Sequence, residues 1–595
     1  MATYKAPLRD MRFVLNEVLD IGTISSLPKF GEVTPDLVDA VLEEAAKICE
    51  QVLFPINRSG DEEGCTFENG VVRTPAGFKE AYRTFVEGGW TNLSTDPQFG
   101  GQGLPATVGF VVEEMICSAN LAFGMYPGLS HGAYEAIRHH ANDDIRQTYL
   151  TKLGEGTWSG TMCLTEPHCG TDLGMLRTRA EPAADGSYRI TGTKIFISAG
   201  EHDLTENIIH LVLARLPDAP GGTKGISLFV VPKFLPDAGG KPGKRNGLAC
   251  GAIEHKMGIK ASPTCVINFD GAQGWLVGEA NKGLNAMFTM MNAARLGVGM
   301  QGLGLAETAY QSAVAYARER LQGRSLSGPK TPDKPADPII VHPDVRRMLL
   351  TQKSFSEGAR ALAYWVGMLI DVARHSDDAG KREEADDLLQ LLTPVVKAYF
   401  TDSGFEAANL AVQVHGGHGY IREHGVEQLV RDARITMLYE GANGIQALDL
   451  VGRKLPMHGG RPMQKMLALL HGFVAENKGD AAMAEFVGPL EKAVNQMQGA
   501  VMWLMQNAMR NHEEAGGAAT DFLKIMALTV MAYMWSRIAK SALAGKANGG
   551  DDGFYDAKLA TGRFFIKRIL PQADAAYSAL QSGVEPMMAL KAEAF

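Results

Sequence analysis

Paired cysteines are the first thing this 595-residue sequence lacks. Its seven thiols, Cys49, Cys65, Cys117, Cys163, Cys169, Cys250 and Cys265, are odd in number, scattered and never spaced C-x-x-C. That argues against a disulfide framework and a cysteine-built zinc site, and for a reducing compartment. A basic footprint is lacking too: the net charge is −9, whereas nucleic-acid binding needs a positive surface. The most apolar run, Ile525 to Trp535, is shorter than the about 20 residues that cross a bilayer. The opening MATYKAPLRDMRF puts charges where a secretory signal has its apolar core. No internal repeat stands out. These absences predict a cytoplasmic protein with no membrane span, no nucleic-acid partner and no bound metal.

What is present is enough apolar residue, 45%, for several cores. Residues 1–33 read as a partly helical extension. Thr34-Pro35-Asp36 then starts a helix, with Thr34 as cap, Pro35 in the first turn and apolar residues from Leu37 to Ile48 at helical spacing. Helices with glycine-rich breaks fill a first domain, 34–156. Over 157–282 the pattern turns to strands: Trp158 to Leu164, Tyr188 to Ser198, Ile208 to Leu216, Ile226 to Val231 and Cys265 to Phe269. A helical domain, 283–455, opens with one long helix from Gly283 to about Arg320. It carries Gly297, Gly299, Gly302 and Gly304, each costing about 1 kcal/mol relative to alanine, so close packing is expected there. The Pro-rich stretch Pro329 to Pro343 reads as a flexible surface linker. A further helical domain, 456–595, is rich in methionine, which reads as bundle core.

The chemistry concentrates between Gln413 and Gln446, in two glycine-rich turns, His415-Gly416-Gly417-His418-Gly419-Tyr420 and Gly441-Ala442-Asn443-Gly444. Met437-Leu438-Tyr439 leads an apolar approach to Glu440. Burial among apolar side chains raises a carboxylate's pKa toward the range of a general base. Asn443 is a candidate N-cap for the helix that follows, whose free N–H groups would suit a phosphate.

This stretch resembles the C-terminal signature of the flavin-dependent acyl-CoA dehydrogenases, in which a Tyr-Glu-Gly loop supplies the base. Asp96 to Leu104 resembles the family's Pro-x-x-Tyr-Gly-Gly-x-Gly-Leu turn, Cys163 to Asp172 its Cys-x-Thr-Glu-Pro-x-x-Gly-Ser-Asp, and Lys194 to Gly200 its Lys-x-Trp-Ile-Thr-Asn-Gly. The resemblance covers nearly the whole chain. It implies an acyl-CoA dehydrogenase-like fold: an N-terminal α-helical domain, a middle β-barrel or β-sandwich domain, a C-terminal four-helix bundle and an extra C-terminal α-helical domain. It also implies FAD, with Leu164, Thr165, Thr171, Phe196, Ser198, Arg320, Gln413, Gly416, Gly417 and Ala442 as its contacts. Phe196 stands where Trp is commoner, and Thr171 and Ser198 keep the hydroxyls of Ser and Thr. His168 and Cys169 replace a common Gly-Ala, and His168 reads as a satisfied or solvated imidazole, without a spaced metal partner.

By the same resemblance Glu440 is the base, with Tyr439, Gly441 and Arg295 at the substrate. In some members the base precedes the arginine corresponding to Arg295; here that position is Ala294. The activity implied is oxidation of an acyl-CoA to the trans-2-enoyl-CoA, with an electron-transferring flavoprotein as acceptor and a homodimer as the assembly. Tyr4 to Phe13, the Arg320-Leu321-Gln322-Gly323-Arg324 variation and the C-terminal extension are most similar to members acting on 3-(methylthio)propanoyl-CoA, in breakdown of dimethylsulfoniopropionate. A short or medium alkyl chain, as in fatty-acid oxidation, is the alternative. An acyl-CoA oxidase, a DNA-binding fold relative and an idle scaffold are the competing readings.

Overall fold

The computed structural model describes residues 2–595. The chain divides into two compact units: Met1–Ala46, Pro105–Ser118 and Val298–Phe595 form one, Lys47–Leu104 and Ala119–Gly297 the other. The helices that carry the argument are α1 (Pro35–Ile48), α2 (Ala106–Ala119), α3 (Leu121–His140), α4 (Gly283–Glu319), α5 (Pro343–His375), α6 (Ala379–His415), α7 (Asn443–Asp449), α8 (Ala484–Ala508), α9 (His512–Ala547) and α10 (Asp552–Phe564). Helix α1 starts as its sequence dictates, with the Leu37 amide donating to Thr34 Oγ1 at 3.2 Å.

The second unit is organised by a seven-stranded sheet: β1 (Trp158–Cys163), β2 (Arg179–Pro182), β3 (Tyr188–Ser198), β4 (Asn207–Arg215), β5 (Ile226–Pro232), β6 (Leu248–Ile253) and β7 (Thr264–Val277). The order runs β6-β7-β3-β2-β4-β1, and β5 pairs with both β7 and β4, closing a ring. Strand β4 shows why the segment is apolar throughout. Ile209, Leu211 and Leu213 face one core, with Tyr134, Tyr149, Met287 and Met290. Val212 and Ala214 face the other, with Ile190, Ile197, Phe229 and Phe269. Side chains alternate along a strand, so a sheet covered on both faces needs both sets to be apolar.

The first unit is helical. Helices α4 and α6 cross where neither carries a side chain: a Cβ on Gly302 would lie 2.4 Å from the Phe400 carbonyl oxygen, and one on Gly404 2.4 Å from that of Gly302. A Cβ on Gly299 or Gly304 would lie 2.7 Å from the Val396 or Cys117 side chain. The glycine run in α4 therefore serves close packing.

Helix α9 is the central helix of the C-terminal part. It is long and apolar enough to cross a membrane, which the run from Ile525 to Trp535 alone did not reveal, but 89% of its most apolar window is buried inside the unit. Met526, Met531 and Met534 lie in that core, whereas Met502, Met505 and Met509 near the end of α8 are exposed.

The Pro-rich stretch is not a loose linker. Asp337, fully buried, accepts hydrogen bonds from the amides of Ser325, Lys330 and Thr331 and from the Thr331 hydroxyl. Its own amide donates to Gly323 O at 2.9 Å, and the Ile339 amide donates to Arg320 O at 2.8 Å. These donors, the Ser325 amide first, hold its carboxyl well below the usual range. One buried carboxylate thus organises the loop after α4.

Candidate active site

In the helical unit Glu440 is half-buried between a helical turn and α7, and its backbone adopts φ 57°, a left-handed conformation that residues other than glycine seldom take. Gln446, fully buried, holds it there: Nε2 donates to Glu440 O at 3.0 Å and to Gly441 O at 3.1 Å. Tyr439 donates its hydroxyl to Gln301 of α4. Burial, with the Cys117 thiol and Glu440 nearby, raises the Tyr439 pKa well above its usual value. Of the expected apolar approach, Met437 is half-buried and Leu438 is 50% exposed.

Asn443 is the first residue of α7, and Ala442 takes the cap position without a side-chain bond. The Asn443 side chain reaches α6 instead, accepting from Lys397 Nζ at 2.8 Å and donating to Asp402 Oδ1 at 2.7 Å. The expected cap is thus replaced by a tertiary anchor. Gly441 follows with φ 86°, and its Cβ would strike Gln446.

The other turn of this unit is open. Gln413, Gly416 and Gly417 are exposed, Gly416 has φ 59°, and a Cβ on either glycine would meet nothing within 4 Å. Tyr420 beside them is 86% exposed. Arg320 is exposed at the end of α4, with its carbonyl fixed by Ile339.

The remaining expected residues lie in the β unit. Strand β3 bulges against β7: Ile197 pairs with Cys265, yet Lys194 pairs with Ile267. The extra residue leaves Phe196 at φ 58° with 60% of its surface exposed, and Ala199 at φ 50°. Next to it Leu164, Thr165 and Ser198 are half-buried, and Thr171 is exposed. Arg295, on the part of α4 that belongs to this unit, is buried, with Asn292 Oδ1 3.5 Å from its guanidinium. The expected site residues thus form two groups, one in each unit.

Sequence reasoning gave His168 no partner, but Glu166, His168 and Cys169 bring donor atoms within 4.8 Å of one another. The Glu166 oxygens and His168 Nε2 already have hydrogen-bond partners. Glu166 accepts from the Arg177 and Thr178 amides, Thr178 Oγ1 and Lys194 Nζ, and His168 Nε2 donates to Met175 O at 3.0 Å. The cluster reads as hydrogen bonding. Gln301, Gln446 and Lys397 were not marked by the sequence: Gln301 and Lys397 act through contacts across many positions, and Gln446 reads as an ordinary polar residue of a short helix.

Four family models match in succession: the acyl-CoA dehydrogenase N-terminal domain over residues 36–157, its middle domain over 161–272, its C-terminal domain over 281–455, and an acetyl-CoA dehydrogenase C-terminal-like model over 464–591. This chain belongs to the acyl-CoA dehydrogenase family. It is 44% identical over 577 residues to the 3-methylmercaptopropionyl-CoA dehydrogenase of Ruegeria pomeroyi, covering 97% of each chain. It is 35% identical to a butyryl-CoA dehydrogenase of Syntrophomonas wolfei, covering 100% of this chain and 99% of that one. An acyl-CoA dehydrogenase from Bacillus anthracis complexed with FAD shares the fold at TM-score 0.75 and 19% identity, over 97% of this chain and 92% of that one.

Acyl-CoA dehydrogenases carry FAD, and the residues present suit it. Thr165 and Ser198 offer side-chain hydroxyls that make no hydrogen bond among the described residues. Phe196 offers an uncovered aromatic face, as a flat, polar-edged ring system requires.

Proposed function

We propose that Glu440 takes the α-proton of an acyl-CoA thioester, and that the thioester is 3-(methylthio)propanoyl-CoA. The observation that carries this reading is the Glu440 loop: a carboxylate on a left-handed backbone, half-buried, with its carbonyl held by Gln446. A base held in one orientation avoids the cost of ordering it at each turnover. FAD, when bound, supplies the two-electron acceptor for the β-hydrogen. In this reading the amide of Glu440 donates to the thioester oxygen of the bound substrate, the oxyanion-hole role that makes the α-proton acidic enough to remove.

The thioether substrate is supported by the 44% identity to the Ruegeria pomeroyi enzyme over nearly the whole of both chains. The 35% identity to a butyryl-CoA dehydrogenase favours a short alkyl chain as the second reading. Sulfur and methylene are close in size and polarity, so discrimination between them is expected to be modest. An electron-transferring flavoprotein as acceptor, a homodimer and a cytoplasmic location complete the reading; the free thiols support the last.

The test is anaerobic titration of the FAD-loaded protein with 3-(methylthio)propanoyl-CoA, butanoyl-CoA and octanoyl-CoA, following the visible flavin band. Rapid bleaching by the first is expected, and fastest bleaching by butanoyl-CoA or octanoyl-CoA would replace the thioether with an alkyl chain. Glu440→Gln is expected to keep its FAD and lose on the order of a thousandfold or more in bleaching rate. Full activity in that variant would remove Glu440 from the role of base.

A further inference from the structure

The chain between β1 and β2, residues 164–178, holds a single 3-10 turn, Leu173–Met175, as its regular structure. Such a stretch needs another source of order, and one buried ion pair supplies it. Lys194 on β3 is 0% exposed and Glu166 3%. The Lys194 ammonium donates to Leu164 O at 3.0 Å and to Glu166 Oε1 at 2.9 Å, while the amide of Ile195 donates to Thr165 O at 2.9 Å. Glu166 carries the anchor to the far end of the stretch, accepting from the Arg177 amide at 2.8 Å, the Thr178 amide at 3.0 Å and Thr178 Oγ1 at 2.6 Å. Its backbone pairs with Cys169 in both directions, at 2.9 and 3.0 Å.

The position of Lys194 on β3 gives the pair its meaning. Lys194 and Ile195 lie immediately before the bulged Phe196, so the same two residues fix Leu164 and Thr165 on one side and begin the left-handed segment on the other. Burying two charges is costly, and apolar side chains of similar size would give equal or better stability. What an apolar pair could not do is hold the Leu164 carbonyl and both ends of the 164–178 stretch at fixed points.

We propose that Lys194, together with Glu166, is a positioning residue of the flavin reaction: it locks the Leu164–Thr165 segment and the Phe196–Ser198 bulge into one preformed face for the FAD ring. This rests on the reading of those residues as flavin contacts. The clamp acts on flavin geometry and leaves substrate binding unchanged.

The test compares the FAD-loaded protein with Lys194→Met, Glu166→Gln and the double variant Lys194→Met/Glu166→Leu. Three readouts are taken: the FAD dissociation constant after stripping and re-titration, the visible flavin spectrum, and kcat against KM for acyl-CoA. Each single variant is expected to bind FAD at least tenfold more weakly, with a shifted flavin spectrum, a lower kcat and a KM within twofold of the parent. In the double variant, which leaves no buried charge unpaired but takes the acceptor from the Arg177 and Thr178 donors, the thermal midpoint is expected to recover in part while the FAD affinity does not. Recovery of FAD affinity, spectrum and kcat along with the midpoint would reduce the pair to a structural one and overturn the proposal, as would single variants within twofold of the parent on every readout. If the single and double variants fail to fold, Thr178→Val withdraws one donor from Glu166 and leaves both charges in place. A smaller loss in the same direction then supports the clamp, and unchanged flavin binding overturns it. A parent protein that cannot be reconstituted with FAD at all would instead overturn the flavin reading beneath it.

Discussion

Glu440 sits at φ 57° and is followed by Gly441 at φ 86°, so the chain turns left-handed across two residues of which only one is glycine. A non-glycine residue there costs on the order of 1–3 kcal/mol and persists where its surroundings over-determine it. Gln446 does much of that, with one amide nitrogen shared between two consecutive carbonyls. Gln446→Met keeps the volume and withdraws both hydrogen bonds. We expect a stability loss of about 1–2 kcal/mol and, with Glu440 as the proposed base, a fall in kcat of about tenfold with little change in KM, since orientation of its carboxylate is lost and substrate contacts remain. Steady-state kinetics with a thermal-shift measurement checks this, and unchanged kcat would show that the strained turn holds itself. The sequence singles out Glu440 through its Tyr-Glu-Gly neighbours, which are local. It could not reveal Gln446, because a glutamine six positions on reads as any polar residue of a short helix.

At the scale of elements, the crossing of α4 and α6 was half legible. Four glycines in one long helix carry a propensity cost that only close packing explains, and the structure supplies the packing at Gly299, Gly302 and Gly304. The partner helix and the reciprocal Gly404 were not legible, since nothing local connects positions about a hundred residues apart. Gly302→Ala places a methyl group 2.4 Å from a backbone carbonyl, so the helices must separate. The expected cost is about 2–3 kcal/mol, against the small gain in helix propensity that alanine brings. A lower urea midpoint is the measurement, and a raised midpoint would mean that the crossing has slack. The loop after α4 failed in the opposite sense. Proline, lysine and serine mark it as solvated, and its order comes from one carboxylate, Asp337, whose burial composition does not display. Strands were easier: β1, β3, β4 and β5 lie within two residues of their expected limits, and β4 and β5, covered on both faces, write near-continuous apolar runs.

At the scale of the whole molecule, each unit holds ionisable groups away from water, and the Asp10 network of one and the buried histidines of the other differ in when acid reaches them. In the helical unit Arg360, 1% exposed, meets Asp10, Glu114 and Glu307, while Lys558 of α10 meets Asp10 and Glu357. Charges drawn from five distant segments form one network, so no local pattern could announce it. Burial would raise the Asp10 carboxyl, but Lys558 and Arg360 outweigh it and hold its pKa at about 2. Its contribution is therefore present above the ordinary carboxylate range and is lost only as the pH falls toward 2. In the β unit His202 and His210 are fully buried, and burial, with the Lys233 ammonium adding to it, lowers both to about 3. His202 Nδ1 accepts from the Leu204 amide at 3.2 Å, so its Nε2 carries the proton toward Ser159 Oγ at 3.0 Å, and His210 Nδ1 lies 2.7 Å from Thr161 Oγ1. The unfolded chain takes up a proton at each near pH 6.5, and the folded one does not until about pH 3. Both groups thus stabilise the fold above pH 6.5, and the contribution falls as pH drops, by about 1.4 kcal/mol per pH unit for each. Between pH 6 and 5 the loss from the pair is about 2–3 kcal/mol, well before Asp10 titrates. The urea midpoint of the protein, followed by tryptophan fluorescence, is expected to fall over that interval. His202→Asn/His210→Gln is expected to flatten the slope; a slope unchanged by the double substitution would place the acid sensitivity in other groups.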